Sequence, residues 1–146
     1  MRTQDLYQVL LIERNAQISP WSRLSFEESL TKQHICRVLD VDGEIIAYHV
    51  VCPVADELHI LNVVAAPQLQ GLGLGHRLMH DILEIATIQS ANKIFLEVRA
   101  GNEVAQNLYL QWRFKQISVR EAYYRSSAHA DDKREDALVF MRSVVD

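Results

Sequence analysis

The sequence predicts a mixed α/β fold, with antiparallel strands towards the N-terminus and a central parallel strand pair flanked by helices. Three observations predict it. Residues 5–17 and 74–90 carry apolar side chains at helical spacing. Between residues 35 and 65, short runs rich in Val, Ile and Leu are separated by tight-turn residues. A strand–helix–strand–helix order then follows, which places two parallel strands side by side in one sheet.

The elements follow in order. Leu6, Val9, Leu10 and the run Ile12 to Ala16 mark the first helix, and Pro20-Trp21-Ser22 breaks it. Ser25-Phe26-Glu27-Glu28 reads as a capping box that opens a short second helix through Leu30. Residues 35–41 and 44–54 read as strands joined at Asp42-Gly43, a strong hairpin signal. Asp56-Glu57 is the next expected turn, and 58–65 the third strand, ended by Pro67. A Gly-rich loop leads into the helix at 74–90, and 93–99 is a further strand. Asn102 is placed to cap a helix over 103–112. Strands at 114–123 and 136–145 close the chain around a polar loop, 126–134.

Size and charge narrow the function. A chain of 146 residues fits one domain, expected to span 1–146. The formal net charge of −4 disfavours tight nucleic-acid binding through phosphates. No apolar stretch approaches the ~18 residues that a membrane span needs. Cys36 and Cys52 lie in apolar runs without zinc spacing, as expected of reduced thiols, and no signal segment is evident. The expected address is the cytoplasm.

The sharpest motif is Gln70-Gly71-Leu72-Gly73-Leu74-Gly75, between a strand and a helix. Glycines let successive N–H groups turn into one concavity, and the helix start adds partial positive charge. Such a cradle holds a diphosphate without lysine. The loop lacks the Gly-Lys-Ser/Thr of a Walker loop. Its alternating glycines also miss the Gly-x-Gly-x-x-Gly spacing of a dinucleotide fold. The remaining reading is a coenzyme A loop of the form Gln-x-x-Gly-x-Gly, filled by Gln70, Gly73 and Gly75.

With these residues in view, the chain resembles the GNAT N-acetyltransferases over nearly its whole length. Within them it is most similar to the bacterial ribosomal-protein alanine N-acetyltransferases, which act on the N-terminal alanine of a small-subunit ribosomal protein. Four segments carry the resemblance: Pro20-Trp21-Ser22; Leu61 to Ala65 with the Gly-rich loop; Leu96 to Asn102 with Leu108-Tyr109; and Tyr123-Tyr124 with Arg134 to Ala137.

The resemblance implies a GNAT-like acyl-CoA N-acyltransferase fold, with acetyl-CoA as co-substrate and no metal. It implies that the main chain of Val63, Val64 and Ala65 holds the pantetheine arm and polarises the thioester. Backbone from Gln70 through Gly71, Leu72, Gly73, Leu74 and Gly75 to His76 would hold the diphosphate, and Asn102 would contact the coenzyme. Glu97 would be the general base and Tyr109 the general acid. Trp21, Tyr123 and Tyr124 would line the acceptor side, each equally able to serve packing. The partner would be a protein N-terminus, with the chain a monomer or weak dimer. The chain departs from the family at Gly71 and His76, where relatives often carry arginine. It has Trp112-Arg113-Phe114 in place of Leu-Gly-Phe, and Arg125 where proline is common.

Acetyl transfer needs a neutral amine, a polarised carbonyl and a proton for the leaving thiolate. An α-amine, with a pKa near 8, needs only a modest base. Strand alternation leaves Glu97 the one acid in an apolar strand, where burial would raise its pKa; a structural pair with Arg99 is the plain alternative. A tyrosine at 109 would have the acidity to protonate a thiolate, although core packing beside Leu108 and Trp112 competes with that role. His76 and His80 lie one helical turn apart but lack a third metal ligand, and a solvated face is expected. Two other activities fit less well. One is acetylation of a lysine or small amine. The other is an acyl-CoA sensor without turnover, against which the presence of both Glu97 and Tyr109 argues.

Overall fold

A computed structural model describes residues 1–125 and 134–144, without the side chains of Tyr124, Arg125 and Arg134. The loop expected at 126–134 therefore lies almost wholly outside the described residues. Among the described residues, four α-helices, α1 (Leu6–Ala16), α2 (Arg23–Thr31), α3 (Leu74–Ile88) and α4 (Glu103–Gln111), accompany six strands. The strands are β1 (Ile35–Val41), β2 (Glu44–Val54), β3 (Glu57–Ala65), β4 (Lys93–Arg99), β5 (Lys115–Arg125) and β6 (Arg134–Ser143). They form one sheet in the order β1-β2-β3-β4-β6-β5. The β3–β4 pair is parallel, as expected, and the other neighbours are antiparallel.

Each face of the sheet has its own core. On one, Leu6, Val9 and Leu10 of α1 and Phe26 of α2 pack on Ile45, Tyr48, Val50 and Val64. On the other, Met79, Ile82 and Ile85 of α3 pack on Leu58, Ile60, Ile94 and Leu96. The apolar stripe of each helix is what its periodicity requires.

Two local expectations need correction. Helix α2 begins three residues early, because Ser22 is the cap: its Oγ accepts from the Ser25 N–H at 3.2 Å. A serine preceding the helix outcompetes Ser25, which becomes the third helical residue. The β2–β3 hairpin turns at Ala55-Asp56, since Val54 pairs with Glu57. The stop of α4 does take a left-handed residue, Arg113 (φ 66°). The N–H of Phe114 bonds Tyr109 O and that of Arg113 bonds Leu110 O, so the chain closes a Schellman motif without glycine.

Asp81 ties α3 to the first hairpin. Its carboxylate accepts from Arg37 Nη1 and meets His49 Nε2, both at 2.7 Å. His49 is fully buried, and its Nδ1 has no partner among the described residues. Burial lowers its pKa, and the Asp81 contact only partly opposes this. A proton therefore binds the unfolded His, near pKa 6.5, more readily than the folded one. Stability should be complete above about pH 6.5 and fall as the pH drops through that value. In urea titrations at neutral pH and in mild acid, the wild type should lose stability that His49→Gln retains. Equal losses would contradict this origin.

Candidate active site

The site begins where the parallel ladder ends. β3 and β4 pair from Glu57↔Lys93 to Ile60↔Leu96 and no further. Beyond that point β4 stays with β6, through Glu97↔Val139 to Arg99↔Ala137, and β3 stays with β2. The two strands part and leave a wedge between them.

A bulge makes this possible. Val51 pairs with Ile60 and Val50 with Asn62, so Leu61 is an extra residue on β3. It bends the strand and shifts the alternation. Ile60 belongs to the α3-side core, whereas Val64 belongs to the α1-side core. The β4-facing main chain of Val63, Val64 and Ala65 is thus left outside the ladder, an edge of donors and acceptors open to an extended ligand.

A buried carboxylate fixes the bend. Glu13 of α1 is fully buried. It accepts from the Tyr48 hydroxyl (2.6 Å), Asn62 Nδ2 (3.0 Å) and the Trp21 N–H (2.9 Å). Asn62 Oδ1 in turn accepts from Gln17 Nε2 at 3.0 Å. One side chain thereby joins α1, β2, β3 and the α1–α2 connection. Burial, then the Glu13 charge and hydrogen bond, push the Tyr48 pKa far up, so its hydroxyl is a fixed donor.

The Gly-rich loop sits at the wedge's mouth, and its glycines have different tasks. Gly71 (φ 84°) and Gly73 (φ 83°) adopt left-handed backbone in open space, so conformation alone demands glycine there. A Cβ on Gly75 would stand 3.0 Å from Leu108 Cδ2, so this glycine lets α3 approach α4. Gly73 caps α3 without a side-chain acceptor. The first intrahelical bond is Arg77 N–H to Gly73 O, leaving earlier N–H groups of the first turn free of helical partners.

A cavity of 820 Å³ runs from this turn to the wedge. That volume suits a cofactor-sized ligand. Val63, Val64, Ala65, Gln70, Gly71, Gly73, Leu74, Gly75, His76, Asn102 and Tyr109 line it. Leu72 does not; its side chain is exposed. Asn102 also does a structural task, since its Oδ1 caps α4 through the Ala105 N–H at 3.1 Å. A second cavity, 150 Å³, adjoins it in the wedge, between Trp21, Asn62, Glu97 and Tyr109. Tyr109 borders both and is 7% exposed, with its ring against Phe114 and Phe140.

Glu97 differs from expectation. Its side chain is 26% exposed, and Oε1 meets Arg120 Nε at 3.1 Å. Apolar burial is thus replaced by an ion pair with β5. Among the described residues no pair joins Glu97 to Arg99, and Arg99 meets Glu135 at 3.2 Å. Trp21 lines the smaller cavity and packs on Phe26 at a ring separation of 5.1 Å, so it serves both purposes. Tyr123 borders neither cavity and lies under the Arg120 guanidinium at 5.4 Å. The Tyr124 side chain lies outside the described ones. Among the described residues, no group of three His, Cys, Asp or Glu could hold a metal, and no helix is long and apolar enough to cross a membrane.

Sequence reasoning missed Arg120 and the Glu13 network. An acid inside the apolar stripe of α1 was the available signal for the network. Arg120 left no sequence signal, because only the pairing of β5 with β6 carries it towards Glu97.

Comparisons with known proteins agree with this fold. The Acetyltransferase (GNAT) family model matches residues 3–114. The [ribosomal protein bS18]-alanine N-acetyltransferase of Escherichia coli K12 is 30% identical over 139 residues, 95% of this chain and 91% of that protein. The Haemophilus influenzae protein of the same name is 27% identical, over 92% and 90% of the two chains. The crystal structure of the E. coli ribosomal-protein-S18-alanine N-acetyltransferase superposes with a TM-score of 0.88 at 28% identity, covering 99% and 90%.

Proposed function

Because the chain belongs to the GNAT acetyltransferase family, we propose that it moves the acetyl group of acetyl-CoA onto the N-terminal α-amine of a protein. The acceptor proposed is the N-terminal alanine of a small-subunit ribosomal protein, the substrate in the names of its relatives. The observation that carries the reading is the wedge. It opens one cavity on the glycine-lined start of α3 and another on Glu97, with Tyr109 bordering both.

The diphosphate lies against the free N–H groups of α3's first turn, and the pantetheine arm pairs with Val63–Ala65. The acceptor enters past Trp21. Its neutral nitrogen attacks the thioester carbon, and Glu97 takes the nitrogen's proton. The new C–N bond forms as the C–S bond breaks, and Tyr109 gives a proton to the leaving thiolate. Direct transfer of this kind needs no protein nucleophile.

Intact-mass analysis tests the acceptor. With acetyl-CoA, a peptide beginning with alanine should gain one acetyl group at its α-amine. A lysine-containing peptide with a blocked N-terminus should gain none. Preferential modification of the lysine would overturn the α-amine assignment, and failure of every amine would favour the sensor reading.

A further inference from the structure

Trp112, the C-cap of α4, reaches across to the start of α3. Its Nε1 donates to His76 Nδ1 at 2.9 Å, with ring centroids 6.1 Å apart. Indole Nε1 is only a donor. His76 Nδ1 must therefore be the acceptor, which excludes the Nδ1–H tautomer and the imidazolium while the bond holds. The ring's one hydrogen is on Nε2, which has no hydrogen-bond partner among the described residues. His76 is the third residue of α3 and lines the 820 Å³ cavity beside Gly73 and Gly75.

Trp112 is itself held in place. Its N–H bonds the Leu108 and Tyr109 carbonyls, and its own carbonyl accepts from Arg142 Nη1 at 2.6 Å. The indole thus sits on a fixed helix end rather than a free surface.

We propose that Trp112 is a positioning residue for the coenzyme, fixing His76 as the Nε2–H tautomer so that the ring offers one neutral N–H donor to a coenzyme A phosphate. This rests on the acetyl-CoA reading of the cavity. It also accounts for a departure seen in the sequence, histidine where relatives often carry arginine. The tautomer, set by the indole, supplies direction in place of a guanidinium's charge.

The test combines spectroscopy and calorimetry. Long-range ¹H–¹⁵N spectra of the free protein should show His76 protonated on Nε2 and bare on Nδ1. Trp112→Phe should erase that preference and weaken coenzyme A binding about threefold to tenfold, the scale of one hydrogen bond. It should raise the KM for acetyl-CoA without lowering kcat at saturation. In a His76→Arg background, Trp112→Phe should leave affinity unchanged, because arginine needs no tautomer. 3′-Dephospho-coenzyme A distinguishes the phosphates: a persisting loss assigns the diphosphate, and a vanished one the 3′-phosphate. An Nδ1–H tautomer in the wild type, or equal losses in both backgrounds, overturns the proposal. Should Trp112→Phe fail to fold, the wild-type spectrum still decides the tautomer. If the wild type binds no coenzyme A, the acetyl-CoA reading fails instead.

Discussion

Glu97→Gln is expected to lower turnover on an alanine-initiated peptide by about 10²–10⁴-fold, the usual contribution of a positioned general base. The substitution keeps the shape of the side chain and removes its ability to take a proton. Its partner Arg120 is more than half exposed, so the broken ion pair should barely affect folding. Acetyl-CoA binding should persist, because Glu97 borders the smaller cavity and not the larger one. The residual activity should rise with pH. Only about a tenth of an α-amine of pKa near 8 is neutral at pH 7, and about nine tenths at pH 9. Thiol-release kinetics across that range provide the check. Turnover close to wild type at pH 7 would remove Glu97 from the chemistry.

Glu13→Ala is expected to have the largest effect on stability, about 3–5 kcal/mol, from buried donors left unpaired at about 1–3 kcal/mol each. Three donors converge on this carboxylate, and truncation would leave the Tyr48 hydroxyl, Asn62 Nδ2 and the Trp21 N–H without it. At about 2–4 °C per kcal/mol for a chain near this size, the midpoint should fall by roughly 10 °C. Glu13→Gln should cost less, because its single amide oxygen can still accept from Tyr48 and Asn62. Acetyl-CoA affinity should fall with Glu13→Ala as well, since Asn62 holds β3 on its bent course towards α1. Thermal melts with calorimetry on the three proteins read both effects. A midpoint within a few degrees of wild type, with affinity intact, would show that the wedge does not depend on this network.

The element order and the parallel pair were legible because they follow from periodicity and turn chemistry, which are local. The hairpin at Asp42-Gly43 could be read directly, for both residues adopt positive φ. The Gly-rich loop that opens α3 was also legible, because Gln70 to Gly75 is contiguous in sequence. What escaped was set by register and by contacts distant along the chain. The bulge at Leu61 has no marker of its own and appears only in the pairing with β2. Glu13 stood within an apolar stripe and was absorbed into it, although its three donors come from residues 21, 48 and 62. The environment of Glu97 was misjudged because strand alternation gives the side of the sheet but not what crosses it. Arg120 reaches Glu97 from β5, two strands away.

A crystal structure of the complex with acetyl-CoA tests the central idea most directly. The diphosphate should lie on the N–H groups at the start of α3, with the acetyl carbonyl between the parted strands beside Val63–Ala65 and the thioester sulfur on the Tyr109 side. A coenzyme bound elsewhere, or an acetyl carbon out of reach of an amine that Glu97 could deprotonate, would contradict the account.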